Sequence, residues 1–165
     1  MEGTQHQTTK ETAQGMAIAV LLDTNVLLNA KNSSELYSAY SLQILDAIEE
    51  GTIHGIISVI SIAELSTGYY LHGDRQGKEE LLAHLISTKD FVIVELDMNL
   101  ADMAAQIRAD TGLKLPDSII IATGLAKGAQ YLITHDKELK KVSSKYIETV
   151  SSKEFLSRFK HAKKK

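Results

Sequence analysis

Apolar residues fall along this chain in two alternating patterns. Residues 17–22 are apolar without interruption, which suits a strand buried on both faces of a parallel sheet. Short apolar runs recur at 55–58, Phe91–Val94 and Tyr131–Ile133, and residues 146–147 predict a last strand. Between the runs the spacing changes to the helical period. It predicts helices over 33–50, 60–71, 79–87, 100–111, 116–127 and 152–159. Gly51, Gly112 and Gly128 stand as stops, and Pro116 stands where a helix begins. Asp23-Thr24-Asn25 follows the first strand and can cap a helix. Strands alternating with helices predict an α/β fold: a three-layer α/β/α arrangement around a mostly parallel central sheet.

The 165 residues suffice for one domain with its own core. Residues 1–15 are nearly all polar and predict a disordered leader without the apolar core of a signal peptide. The folded body is then expected over 16–160, with a basic tail at 161–165. No apolar run approaches the ~20 residues of a membrane span, so no membrane association is expected. Cysteine is absent, which excludes a disulfide scaffold, a zinc–thiolate site and a cysteine nucleophile, and fits a cytoplasmic setting. The net charge of −3 hides an asymmetry. Residues 1–136 hold 8 Lys and Arg against 18 Asp and Glu, while 137–165 hold 10 against 3. An acidic body with a basic end points weakly to a polyanionic partner.

In open parallel sheets, ligands bind beyond the carboxyl ends of the strands. The first strand ends in Asp23, and Tyr131–Ile133 runs into Thr134-His135-Asp136. Asp117 opens a helix that is apolar nearly all round, and shares a face with Ile120, Ile121 and Gly124. Glu64 sits among apolar neighbours, with Ser61 and Gly68 beside it on the helix. Asp23 or Asp136 alone reads first as a helix cap and Asp117 as a first-turn acid, while a solvent-facing Glu64 fits less well because no other charge lies between Gly51 and Leu71. Four converging on one crevice would repel one another unless a cation lay between them. All the donors are oxygens, which selects Mg2+ or Mn2+ over zinc. Such an ion activates water and neutralises phosphate charge, the apparatus of phosphodiester hydrolysis.

These residues carry a resemblance. Leu22-Asp23-Thr24-Asn25-Val26-Leu27 resembles the opening motif of PIN-domain ribonucleases, in particular VapC-type toxins of toxin–antitoxin pairs. The segment Ser58-Val59-Ile60-Ser61-Ile62-Ala63-Glu64-Leu65 resembles the second motif, Leu115-Pro116-Asp117-Ser118 and its apolar continuation the third, and Leu132-Ile133-Thr134-His135-Asp136 the fourth. The four occur in order across about residues 17–150. The resemblance implies Mg2+- or Mn2+-dependent cleavage of RNA by an activated water, a homodimer, and a small antitoxin partner. By position it makes Asp23, Glu64, Asp117 and Asp136 the catalytic and metal-binding acids. Asn25 and Thr134 become polar helpers for water or substrate, and Ser61 a support for Glu64.

A haloacid-dehalogenase-like phosphatase also begins with a strand ending in Asp, but needs a second acid where Asn25 stands. A receiver domain wants adjacent acids after its first strand. The alternative from another class is a non-catalytic PIN-like scaffold for RNA or protein. For RNA steering, the residues proposed are Arg108 and Lys114 with the Lys-rich end, Lys140, Lys141, Lys145 and Lys153. For the antitoxin, the expected surface is an apolar groove by the Glu64 helix, drawn from Tyr69, Tyr70, Leu71, Leu36, Tyr37 and Tyr40.

Overall fold

A computed structural model describes residues 17–162. The predicted leader and the last three lysines lie outside the described residues. Five strands form one sheet: β1 (Ile18–Leu22), β2 (Ile53–Ser58), β3 (Phe91–Val94), β4 (Tyr131–Ile133) and β5 (Glu148–Val150). All pairings are parallel, in the order β3-β2-β1-β4-β5. Eight helices connect or follow them: α1 (Thr24–Lys31), α2 (Ser38–Glu49), α3 (Val59–Leu71), α4 (Arg75–Ser87), α5 (Met98–Thr111), α6 (Leu115–Ala126), α7 (Lys137–Ser143) and α8 (Ser152–Ala162). α8 therefore continues into the first two residues of the expected tail.

The uninterrupted apolar run of β1 is explained by its central place. Val20 and Leu22 enter one hydrophobic core with Val26, Ile44, Leu65, Leu85 and Phe155, from α1, α2, α3, α4 and α8. Leu21 points the other way, into a core with Ala104, Ile107, Ile120 and Leu139 from α5, α6 and α7. The period of two thus divides one strand between two layers of helix. Gly124 shows how closely α6 lies over β1, because a Cβ there would meet the Ile147 and Leu21 side chains at 2.5 and 2.8 Å.

The chain steps from β1 to β2 to β3 on one side, then returns to place β4 on the other side of β1. The order therefore reverses between β1 and β4, where a crevice opens at the carboxyl ends. Leu22 pairs with Ile133, so Asp23 and Thr134 leave the sheet side by side. No helix among the described residues is long and apolar enough to cross a membrane.

Some predicted boundaries move. The polar stretch 72–78 contributes the start of α4, whose cap is Asp74 through a bond from Gly77 N–H at 2.8 Å. The last strand lies at Glu148–Val150 instead of 146–147, because Ile147 turns into the core under α6.

Candidate functional site

Asp23 follows β1 and caps α1. Its Oδ1 accepts from the backbone N–H of Thr24 at 2.7 Å, and its Oδ2 from the Thr134 hydroxyl at 2.6 Å. Each oxygen keeps a further lone pair. Only 7% of the residue is exposed. Burial pushes its carboxyl up to about 6, against the pull of the Thr134 and Thr24 bonds, and the charges of Asp117 and Glu64 push it the same way.

Glu64, in the second turn of α3, has a partner not legible from the sequence: the Thr24 hydroxyl donates to its Oε2. Ser61 does not hold Glu64. Its Oγ is buried and has no hydrogen-bond partner. Asp117 lies half-buried in the first turn of α6, after Lys114 and Pro116. Burial raises its carboxyl first, then the charges of Asp136 and Glu64, with Lys114 opposing them. Asp136 is exposed and caps α7, accepting from the N–H groups of Glu138 and Leu139 at 2.9 and 3.1 Å. Asp23 thus feels the charges of Asp117 and Glu64, and Asp117 those of Glu64 and Asp136.

Asn25 and Thr134 tie the two sides of the crevice together. Asn25 Nδ2 donates to Thr134 Oγ1 at 3.3 Å, and the His135 N–H donates to Asn25 Oδ1 at 3.2 Å. Thr134 Oγ1 also accepts from the Asp136 N–H at 3.0 Å. His135, between Thr134 and Asp136 in the fourth motif, has its ring anchored at both nitrogens. Asn29 Nδ2 donates to Nδ1 at 2.7 Å, and Nε2 lies 2.7 Å from Ser152 Oγ. Burial holds its pKa below the usual histidine value.

The donors fit a hard divalent cation in kind: all are carboxylate oxygens, and burial and neighbouring like charge raise the pKa of Asp23 and Asp117. Among the described residues no three His, Asp or Glu side chains are drawn together closely enough to hold an ion by themselves. Mg2+ does not need such a cage, since it keeps several waters and takes one or two carboxylates.

The surrounding surface differs from expectation in detail. Lys140 is paired with Glu154 at 2.6 Å, and Arg108 donates to the Leu113 carbonyl at 3.1 Å. Lys153 lies over the Tyr40 ring. Lys114, Lys141 and Lys145 are exposed. Tyr37 stacks on His135, Tyr40 packs against the first core, and Tyr69 receives the Lys31 ammonium. A groove does remain beside α3, lined by Leu28, Lys31, Leu65, Gly68, Tyr69 and His72. Leu28 is 49% exposed and Leu71 80%; Leu36 and Tyr70 are also exposed.

Comparison with known proteins agrees with this architecture. No curated protein sequence matches the chain. A chain of a toxin–antitoxin complex from Klebsiella pneumoniae is similar at 25% identity and TM-score 0.61, over 81% of this chain and 97% of that one. FitAcB from Neisseria gonorrhoeae gives the same identity, coverage and TM-score. VapC20 of Mycobacterium tuberculosis, described as a sarcin–ricin loop cleaving toxin, shares the fold at 12% identity and TM-score 0.61, over 74% of this chain and 93% of that one. The family model for the PIN domain matches residues 20–145, which hold β2, β3, β4, most of β1 and the acids Asp23, Glu64, Asp117 and Asp136. With a parallel sheet whose order reverses beside Asp23, and with that match, the chain belongs to the PIN domain family.

Proposed function

We propose that this protein is a Mg2+- or Mn2+-dependent endoribonuclease, the toxin of a toxin–antitoxin pair. The observation that carries the reading is the coupling of Asp23 to Asp117 and Glu64, and of Asp117 to Asp136, beside the topological switch point, where Asp23 and Asp117 are raised by burial and by like charge. Family membership and the likeness to a toxin–antitoxin complex support it.

Asp23 would be the central anchor for the ion, with Glu64, Asp117 and Asp136 around it directly or through water. A divalent ion held there would supply activation of a water and relief of charge on the phosphate. The chain's own groups orient this apparatus. Thr134 fixes the rotamer of Asp23, Thr24 aims Glu64, and Asn25 holds Thr134 against the loop that carries Asp136. Water attack on phosphorus breaks one P–O ester bond and leaves a phosphate monoester and a hydroxyl end. Exposed Lys114, Lys141 and Lys145 would contact the RNA backbone, because an acidic crevice otherwise repels it.

The groove between α1 and α3 would receive an apolar face of the antitoxin beside Glu64, and a second copy of the chain would complete a homodimer. The test is cleavage of single-stranded RNA by purified protein. Wild type should cut with Mg2+ or Mn2+ and stop with chelator. Asp23→Asn should lose on the order of a hundredfold or more in rate. The products should lack a 2′,3′-cyclic phosphate, which arises only when the ribose 2′-hydroxyl is the nucleophile. Equal cleavage by Asp23→Asn with chelator present would leave a scaffold with a contaminating nuclease as the better account.

A further inference from the structure

We infer that His135 is a positioning residue for this site: its ring clamps the β4–α7 loop to α1 and α8 and so fixes Thr134, and through it Asp23. The inference rests on the nuclease reading for its effect on rate, but its geometry stands apart from it.

Three facts place the ring. Asn29 Nδ2 can only donate, so Nδ1 of His135 accepts, and the proton of the neutral imidazole sits on Nε2. Nε2–H then donates to Ser152 Oγ at 2.7 Å, and that hydroxyl lies 3.1 Å from the fully buried Ser41 Oγ on α2. The Tyr37 ring stacks on the imidazole, with centroids 4.4 Å apart and an angle of 19° between planes. Position and rotation of the ring are thus set by α1, α2, α8 and the residue preceding α2.

The backbone of the same residue carries this rigidity into the site. The His135 N–H donates to Asn25 Oδ1, whose Nδ2 donates to Thr134 Oγ1, whose hydroxyl hydrogen goes to Asp23 Oδ2. Asn25 and Asn29 stand four residues apart on α1, so one face of one helix holds both the backbone and the ring of His135. Of the three residues Thr134-His135-Asp136, the middle one has its side chain outside the acidic cluster, yet it carries both of these attachments. Without these anchors Thr134 and Asp136, tied to each other by the Asp136 N–H bond to Thr134 Oγ1, would shift together relative to α1. Tolerances in such sites are fractions of an ångström.

The experiment compares wild type with His135→Phe, which keeps an aromatic ring against Tyr37 and removes both ring hydrogen bonds. His135→Gln is the conservative variant, since an amide supplies one acceptor and one donor. Two readouts are taken on the full chain: steady-state RNA cleavage with Mg2+, and amide hydrogen exchange. His135→Phe should lower kcat at least tenfold with KM within about twofold. His135→Gln should recover a substantial part of the loss. The N–H groups of His135 and Asp136 should exchange at least tenfold faster in the Phe variant, while those of β1 and β2 stay protected. An unchanged kcat together with unchanged exchange at His135 and Asp136 overturns the inference. So does a loss that follows uniformly faster exchange through the sheet, because His135 would then only stabilise the fold. If wild type cleaves nothing while the local exchange pattern appears, the nuclease reading fails and the clamp stands.

Discussion

Asp23 concentrates the physical conflict of this molecule in one side chain. Its carboxyl is nearly enclosed and its pKa is raised to about 6, so at neutral pH the fold carries a buried charge it would be more stable without. The sign follows from linkage. An acid raised in the folded state costs stability above that pKa, and the cost fades as pH falls towards the unfolded value near 4. For Asp23 it amounts to about 3 kcal/mol at most. His135 acts oppositely: held neutral by burial, it costs stability as pH falls below the unfolded histidine value. Comparing wild type with Asp23→Asn cancels the histidine. In metal-free buffer at pH 7.5, thermal denaturation should show Asp23→Asn melting a few degrees above wild type, a gap that closes by about pH 4.5. A variant that melts well below wild type at pH 7.5 would contradict this.

Thr24 and Ser61 separate in the same way. Ser61→Ala removes a hydroxyl without a partner and should leave stability within about 0.5 kcal/mol of wild type, or raise it, with activity retained. Thr24→Val removes the hydroxyl that aims Glu64 and should cut kcat about tenfold or more. RNA-cleavage rates and urea unfolding of the two variants check this pair. The positions of the four acids were legible in the sequence because each sits at a strand end or in an apolar helix. The partners of Glu64 and His135 were not, because a hydrogen bond from Thr24 to Glu64 spans forty residues and leaves no periodic trace.

At the level of elements, four strands and six helices could be read from period alone. What was missed follows from physics. α1 begins at Thr24 directly after its capping Asp23, so no loop separates strand from helix, and the cap was legible while the short helix behind it was not. α7 is short, Lys-rich and amphipathic through little more than Leu139, and its cap is one of the candidate acids. Gly124 sits inside α6, where helix propensity alone favours alanine by ~1 kcal/mol. Here the approach to Leu21 and Ile147 decides instead, and those side-chain ends would have to give way. Gly124→Ala should therefore destabilise by about 1–2 kcal/mol, read by urea unfolding. A stabilised variant would mean that the helix does not lie so close to β1.

Across the whole molecule, the sheet order, the four acids and the charge distribution point to one crevice. Reversal of strand order brings Asp23 and Thr134 together, α3 and α6 bring Glu64 and Asp117 to them, and Asp136 opens the helix that follows β4. In the function proposed, a divalent cation offsets the negative charge of this crevice. The most direct measurement is calorimetric titration of Mn2+ into metal-free wild type and Asp23→Asn at pH 7.5, with melting temperatures taken alongside. Wild type should bind Mn2+ and melt at a higher temperature when loaded. In Asp23→Asn, binding should be weakened at least tenfold and the rise in melting temperature lost. Binding of equal strength in both proteins, or none in wild type, would contradict this.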